Sequence, residues 1–382
     1  MDSPAGPGSA EPNLTVSESG VYLSWIEPVG EGGHALRLSR WENDRWGSPK
    51  TVTQSTGLFV NWADFPSVLA RADGSLVSHW LQKSGPGTYA YDVYVSRSAD
   101  RGTTWTPPVS PHRDGTLNEH GFVSLVDLGG DRFGAVWLDG RGFKHTVEKD
   151  LENEMRLMFS VYEGGAFQPE VALDTRVCDC CQTAAAATPE GVVVLYRDRG
   201  TDEVRDISLV SYSNGKWSEP ATLHPDRWEI AACPVNGPSV VARGKNLAAA
   251  WFTFAEQKGR VQVAFSKDGG KTFGAPVRID GGAPAGRVDI EWLSDESVLV
   301  VWLEQTGGNS AEIRARRVNA DGSHEPHFVV APATSGRPSG FPRIAHRAGE
   351  VFFAWTDATS SPSRVRTRVL EVTDRQVSSG RP

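Results

Sequence analysis

The sequence has no long apolar run and no basic stretch. Its longest apolar segments, such as residues 298–303, are far shorter than the roughly 20 residues that a membrane-spanning helix needs. We therefore expect no insertion into a membrane. Acidic residues outnumber basic ones, and the formal net charge is -8. Because such a chain offers phosphates no favourable field, we expect neither nucleic acid nor an anionic membrane surface as a partner.

The N-terminus lacks the apolar core of a signal peptide. Residues 1–12 are rich in Ser, Pro, Gly and Ala, and we interpret them as a flexible tether. We place a single folded domain over residues 13–376 and a C-terminal tail over residues 377–382. We expect an exported protein, periplasmic or extracellular, whose export signal or lipid attachment is not part of this sequence.

A repeat runs through the whole chain. A short apolar strand that ends in an aromatic residue recurs at Trp25, Trp80, Trp137, Tyr196, Trp251, Trp302 and Trp355. The spacing between these aromatics is 51 to 59 residues, with no helical pattern between them. Such a period is typical of propeller blades. We predict an all-β, seven-bladed β-propeller, with six blades plus an irregular sheet as the alternative.

The last blade looks incomplete. Residues 341–374 show three strands but no fourth strand with the aromatic and proline pattern that ends the other blades. The Pro- and Gly-rich N-terminus does not look able to supply one. We therefore expect the ring to close mainly by side-chain packing between blades one and seven.

Two turns carry the same motif. Ser98-Ala-Asp100-Arg-Gly102-Thr-Thr-Trp105 and Ser266-Lys-Asp268-Gly-Gly270-Lys-Thr-Phe273 follow the pattern S-x-D-x-G-x-T-[WF]. This pattern resembles the Asp-box, or BNR repeat, of bacterial sialidases and related propellers, and the whole chain resembles exported bacterial proteins of that superfamily. The resemblance implies an arginine triad, a Tyr-Glu nucleophile pair and an Asp acid/base. The first-blade Phe/Tyr-Arg-Ile-Pro motif of sialidases is absent near the N-terminus.

Polar residues collect in what we call the mouth loops, the loops that precede the innermost strand of a blade and those that follow its second strand. In blades two to five these loops contain residues 61–64, 89–92, 118–120, 139–141, 178–182, 197–199 and 233–236. In propellers such loops meet on one face at the channel, where ligands usually bind. We therefore expect a small-molecule or metal ligand at the channel mouth.

The four cysteines allow three interpretations. Cys178, Cys180 and Cys181 fall within four residues, and Cys233 lies in the corresponding loop of the next blade. In an exported protein they could form disulfides, Cys178 with Cys233 and Cys180 with Cys181. They could instead bind a soft ion, copper or zinc, together with the imidazole of His120. A catalytic thiol with His120 as its base is the third interpretation.

Two functions therefore remain open, besides a binding module without chemistry. The first is metal or thiol chemistry at the cysteines. The second is a sialidase-type glycoside hydrolase with a carboxylate pair drawn from Asp64, Glu119 and Asp139. In that case arginines of the same loops would bind an acidic sugar. The candidate catalytic residues are Asp64, Glu119, His120, Asp139, Arg141, Arg197 and Arg199.

Overall fold

Seven antiparallel sheets follow one another along the chain. The computed structural model describes residues 3–143, 154–373 and 376–378, and these form the predicted seven-bladed β-propeller rather than six blades. Helical structure in the described residues is limited to single turns at Ala255–Gln257 and Arg337–Ser339. None of these described helical segments is long and apolar enough to cross a membrane.

Each blade places its first strand at the axis and its later strands progressively outward. The innermost strands are β1 (Ala10–Ser17), β6 (Ser67–Ala70), β9 (His120–Asp127), β14 (Ala184–Thr188), β19 (Ser239–Arg243), β23 (Pro284–Trp292) and β27 (Arg343–Arg347). The second strands are β2 (Gly20–Val29), β7 (Leu76–Lys83), β10 (Phe133–Asp139), β15 (Gly191–Arg197), β20 (Asn246–Thr253), β24 (Ser297–Gly307) and β28 (Glu350–Asp357). The third strands are β3 (Gly33–Glu42), β8 (Tyr91–Ser98), β11 (Met155–Glu163), β16 (Ile207–Ser213), β21 (Arg260–Ser266), β25 (Ser310–Asn319) and β29 (Arg364–Thr373).

The outer edges of the blades are short and irregular. They consist of β4 (Arg45–Trp46) and β5 (Lys50–Ser55), β12 (Ala166–Phe167) and β13 (Val171–Val177), β17 (Lys216–Trp217) and β18 (Ala221–Thr222), β22 (Val277–Arg278), β26 (Phe328–Thr334) and β30 (Gln376–Ser378). In blade two a single bridge between Val95 and Val109 takes the place of an outer strand. Short edges of this kind limit pairing with other chains.

The seven innermost strands contact one another in a closed ring, in which β27 meets β1. Small side chains permit this approach, as in β14, which reads Ala-Ala-Ala-Ala-Thr. The second strands lie between neighbouring blades and are therefore buried on both faces; every residue of β10 is buried. Apolar clusters fill the spaces between adjacent blades, and one of them joins Trp25 of blade one to Phe352 of blade seven.

Blade seven differs from the expectation of three strands. Residues Gln376–Ser378 pair with β29 and supply a short fourth strand. The segment expected to be a tether also contacts this blade, because Gly8 N–H donates to Ser363 O at 2.7 Å and Val365 N–H donates to Ser9 Oγ at 3.0 Å. Backbone hydrogen bonds therefore add to the packing that joins blade one to blade seven.

The two Asp-boxes form the same hairpin. Asp100 Oδ1 accepts the N–H groups of Thr103 and Thr104 at 3.0 and 2.8 Å, and its Oδ2 accepts the Thr104 hydroxyl at 2.7 Å. Asp268 makes the matching contacts to Thr272. Gly102 has φ +79°, a backbone conformation that favours glycine. The boxes therefore stabilise turns and contribute nothing to the channel mouth.

Candidate functional site

A cavity of about 540 Å³ opens at the channel mouth. The mouth loops of blades two to five supply most of its walls, as the sequence predicted for this face. The walls include Asn61, Trp62, Asp64, Tyr89, Tyr91, Asn118, Glu119, Asp179, Cys180, Cys233 and Arg337. Two of the candidate carboxylates, Asp64 and Glu119, thus share one cavity with two of the four cysteines.

A buried tyrosine joins the two carboxyl groups. The phenol oxygen of Tyr91 lies 2.8 Å from Asp64 Oδ2 and 2.7 Å from Glu119 Oε1. A phenol carries one proton and can donate to only one of them. The second contact is a hydrogen bond only when that carboxyl is protonated and donates to the phenol oxygen. We call these three residues the carboxyl-phenol trio.

The pKa values in the trio agree with a shared proton. Burial raises the pKa of Asp64 to about 7, although the bonds from Tyr91 and from Phe122 N–H oppose this shift. Burial, with the nearby charges of Asp64, Asp179 and Cys233, raises the pKa of Glu119 to about 8. Near neutral pH the trio therefore retains a proton that isolated carboxyls would have lost.

Gly121 allows the trio to form. A Cβ atom at this position would lie 2.0 Å from Asp64 Oδ2 and 2.9 Å from the Tyr91 ring. Real Cβ atoms do not approach so closely. Any larger residue at position 121 would therefore displace Asp64 from the phenol oxygen.

The four cysteines form what we call the thiol cluster. Cys178 Sγ lies 3.0 Å from Cys181 Sγ and 3.7 Å from Cys180 Sγ. Cys233 joins the cluster from blade five and lies within ligand distance of Cys180 and Asp179. All four are free thiols. Neither of the disulfide pairings considered from the sequence, Cys178 with Cys233 and Cys180 with Cys181, is therefore present.

Charge in the cluster is concentrated on Cys178. Burial by itself would raise the pKa of this thiol, but the hydrogen bonds with Cys180 and Cys181 and the charge of Arg205 hold the pKa well below its usual range. Arg205 Nη1 lies 3.5 Å from Cys178 Sγ. Because a guanidinium can only donate, Cys178 is the acceptor in this contact, and its lowered pKa favours the thiolate form. Donation to Cys178 raises the pKa of Cys180, and burial raises that of Cys181.

A second buried cluster lies in blades two and three. This histidine cluster consists of Asp92, His112, Asp114, His120 and Asp139. The two imidazole rings are stacked, with ring centroids 3.9 Å apart and an interplanar angle of 3°. His112 Nε2 accepts Val93 N–H at 3.2 Å, so this ring is neutral. Burial and the charge of the neighbouring ring lower its pKa to about 4.

His120 is held as a cation. Its Nε2 donates to Asp114 Oδ2 at 3.0 Å and its Nδ1 donates to Asn118 O at 3.1 Å. Burial lowers the pKa of His120, but the bonds to Asp114 and Asp92 outweigh it and raise the value to about 10. A ring with two N–H groups has no lone pair for an ion. Among the described residues, His120 lies within ligand distance of acidic and histidine side chains and not of any cysteine.

Asp139 and Arg141 form an ion pair outside the cavity. Arg141 donates to Asp139 through Nε at 2.8 Å and Nη2 at 2.7 Å, and Trp137 Nε1 donates to the same carboxylate at 2.8 Å. Bonds of the same Trp-x-acid kind link Trp25 to Glu27 and Trp302 to Glu304 in other blades. Because the same bond recurs in three blades, we interpret Asp139 as a structural residue. The Trp-x-acid spacing is visible in the sequence and could have predicted this role.

Arg197 and Arg199 are buried and engaged. Arg197 donates to the backbone carbonyls of Asn236 at 2.8 Å and Phe252 at 2.7 Å, and its guanidinium lies over the Trp228 ring. Arg199 Nη2 donates to Glu203 at 2.9 Å. These two arginines and Arg141 are not among the residues that line the cavity. The structure therefore does not bring the predicted acidic-sugar arginines to the carboxyl pair.

Residues 35–310 match the family model of the BNR repeat-like domain. The chain belongs to this family. A search of curated proteins found no significant match. A protein of unknown function from Dyadobacter fermentans superposes with a TM-score of 0.55 and 15% identity, over 96% of this chain and 95% of that chain.

Two enzymes of known name share the fold of this BNR repeat-like protein. The polysaccharide lyase Uly1 superposes with a TM-score of 0.55 and 10% identity, over 94% of this chain and 89% of that chain. The endosialidase of phage phi92 superposes with a TM-score of 0.50 and 10% identity, over 100% of this chain and 70% of that chain. These matches confirm the resemblance to sialidase-type propellers. At such identities they establish the fold alone.

Proposed function

We propose that this propeller binds a soft metal ion through Cys178, Cys180 and Cys181 at the mouth of its channel. The observation that carries the proposal is the convergence of the three sulfurs, which all lie within 4.8 Å of one another. Thiolates are the preferred protein ligands of copper(I) and are common ligands of zinc. One of the three is already favoured as a thiolate, because Arg205 donates to Cys178.

The ligand set favours copper(I) over zinc. Structural zinc sites take four ligands in a tetrahedron, commonly with histidine among them. His120, the imidazole that the sequence analysis predicted as a metal ligand, already donates through both ring nitrogens to Asp114 and Asn118. Three sulfurs without an imidazole suit copper(I), which is satisfied by two or three soft ligands.

The charge of the cavity also favours a cation. Of the described residues that line it, Asp64, Glu119 and Asp179 are acidic and only Arg337 is basic. Because the carboxyl-phenol trio retains a proton near neutral pH, the preference of these walls for cations over anions grows as pH rises through 8. Such walls are unfavourable for an acidic sugar, the substrate that the sequence analysis considered.

The proposal is tested by titrating the reduced protein with copper(I) under anaerobic conditions, in competition with bicinchoninate, whose copper(I) complex absorbs visible light. We expect about one ion per chain. Cys178→Ser should weaken binding at least a hundredfold, which corresponds to about 2.7 kcal/mol. The matched control is Ala186→Ser, which places a hydroxyl at another buried position of the same blade. No binding by the wild-type protein, or undiminished binding by Cys178→Ser, would refute the proposal.

A second candidate function is glycoside hydrolysis by the carboxyl-phenol trio. The observation that favours it is the contact of Asp64 and Glu119 with one phenol oxygen, with raised pKa values that leave a proton donor near neutral pH. Because both carboxyls contact one phenol oxygen, at 2.8 and 2.7 Å, their contacting oxygens are at most about 5.5 Å apart, which fits the retaining rather than the inverting geometry. The acidic walls favour a neutral or basic sugar as substrate.

The hydrolase is tested with a panel of aryl glycosides that carry neutral, amino and acidic sugars. We expect release of the aryl group from a neutral or amino sugar, and Glu119→Gln should abolish it without changing copper(I) affinity. An inactive wild-type protein on the whole panel would count against this candidate and would leave the metal proposal intact.

A further inference from the structure

The thiol cluster contains two ligand groups that share one residue. The inner group is Cys178, Cys180 and Cys181, and the outer group is Asp179, Cys180 and Cys233. Within each group all ligand atoms lie within 4.8 Å of one another. Cys180 belongs to both, so an ion bound to its sulfur could complete its coordination on either side.

The two groups differ in access. Asp179, Cys180 and Cys233 line the cavity, whereas Cys178 and Cys181 do not. The exposed fraction is only 1% for Cys178 and 2% for Cys181, while Cys233 is exposed. An ion in the cavity can therefore reach the outer group directly. It can reach the inner group only past Cys180.

Arg205 links the groups electrostatically. Its Nη1 lies 3.5 Å from Cys178 Sγ and 3.7 Å from Asp179 Oδ1. Glu203 fixes the guanidinium by accepting from Nη2 at 2.8 Å. One cation therefore balances a negative charge in each group. An ion bound in one group neutralises the negative charge of that group. The guanidinium then interacts more strongly with the negative charge of the other group.

We propose that the outer group is a capture site, from which a monovalent soft ion passes through Cys180 to the inner group. The inference rests on the proposed function of the inner group. In the first step the ion loses its bond to Cys233 and gains one to Cys178. In the second step it loses its bond to Asp179 and gains one to Cys181. Cys178 accepts the ion as a thiolate and loses no proton, whereas Cys181 loses one, which the released Cys233 thiolate takes up through water in the cavity. The ion keeps its oxidation state, so no oxidant or reductant is required.

The test separates the rate of loading from the final occupancy. Copper(I) is supplied as its bicinchoninate complex, and stopped-flow absorbance follows transfer to the reduced full-length protein. In Cys233→Ser and in Asp179→Asn we expect loading at least about tenfold slower, with about one ion still bound at the end. Asp295→Asn, which changes an exposed carboxylate paired with Arg243, is the control and should load at the wild-type rate.

The buried ligand gives the opposite result. In Cys181→Ser the first capture should remain fast, but a stronger competing chelator should then remove the ion. Wild-type loading rates in both Cys233→Ser and Asp179→Asn would overturn the capture site. Loss of final occupancy in Cys233→Ser would also overturn it, because Cys233 would then be a ligand of the single final site. Absence of binding in the wild-type protein would instead refute the proposed function itself.

Discussion

The histidine cluster and the thiol cluster are both buried groups of metal-ligand side chains, but they differ in how far their charges are already paired. In the histidine cluster His120 donates through both ring nitrogens, and Asp139 accepts once from Trp137 and three times from Arg141. In the thiol cluster the sulfurs contact mainly one another and a single guanidinium, and the cluster opens on a cavity.

The comparison shows that proximity of ligand-type residues is a weak criterion for a metal site. A ring with two bonded N–H groups and a carboxylate that accepts four bonds have little left to offer an ion. Thiols that face one another have unused coordination capacity, since S–H groups are weak donors and weak acceptors. We therefore propose a structural role for the histidine cluster, in contrast to the ligand binding proposed for the thiol cluster.

The largest expected effect is on stability. Asp139→Ala leaves Arg141 and the Trp137 N–H without their main acceptor, and breaking such a buried pair typically costs about 3–5 kcal/mol. We expect a loss of this size in urea unfolding, with unchanged copper(I) affinity. Asp295→Ala, an exposed control, should change stability by less than about 0.5 kcal/mol. If Asp139→Ala lost copper(I) but not stability, the assignment of the two clusters would be reversed.

The second prediction concerns pH and the carboxyl-phenol trio. The pKa of Glu119 is raised from 4.5 to about 8, so the folded protein binds a proton that the unfolded chain loses above about pH 4.5. The stabilisation is complete at low pH and is lost as pH rises through 8. Each bound proton contributes a slope of up to about 1.4 kcal/mol per pH unit.

Glu119→Gln isolates this contribution. Between pH 5 and pH 8 the variant should lose stability with pH less steeply than the wild-type protein, as measured by urea unfolding at several pH values. Equal slopes in the two proteins would show that Glu119 ionises normally and that the trio holds no shared proton at neutral pH.

The third prediction tests the thiolate assignment. Arg205→Gln removes the charge beside Cys178 and should raise the pKa of that thiol, so copper(I) must displace a proton that the wild-type protein has already lost. We expect affinity at pH 7 to fall about tenfold, or about 1.4 kcal/mol, and to recover at higher pH. Arg176→Gln, which removes another partner of Glu203, is the matched control. An equal loss in both variants would point to a general effect of charge.

The smallest expected effect is that of Tyr91→Phe. The change removes the hydrogen bond of one neutral phenol, so we expect a loss of about 1 kcal/mol in the free energy of unfolding. Copper(I) affinity should not change. A large fall in affinity would mean that the trio and the thiol cluster act as one site.

The seven-bladed architecture, and the face on which the polar mouth loops meet, could be predicted from the sequence. The spacing of the aromatic strands predicted seven blades, and the polar mouth loops predicted that Asp64, Glu119 and the cysteines would lie on one face. The cavity brings together Asp64, Glu119, Cys180 and Cys233. Local periodicity is sufficient for this, because each blade repeats the same strand order. The fourth strand of blade seven was missed, since Gln376–Ser378 lacks the aromatic and proline signal of the other edges.

The partners of charged residues could not be predicted. Arg197 is the last residue of the apolar strand β15, a position from which an arginine could reach a ligand at the channel mouth. Its guanidinium instead donates to backbone carbonyls of the next blade. Arg205 gave no signal at all, although it is the cation beside Cys178. The link between Tyr91 and the two carboxyls also depends on residues from separate loops. Such contacts depend on register across blades, which a linear pattern does not contain.

The most direct test of the central claim is X-ray absorption at the copper edge of the copper(I)-loaded protein. If Cys178, Cys180 and Cys181 bind the ion, its first coordination shell contains two or three sulfurs and no nitrogen. In Cys178→Ser we expect this shell to lose one sulfur. A shell that contains imidazole nitrogen would contradict this claim, because it would place the ion at the histidine cluster or bring His120 into the thiol cluster.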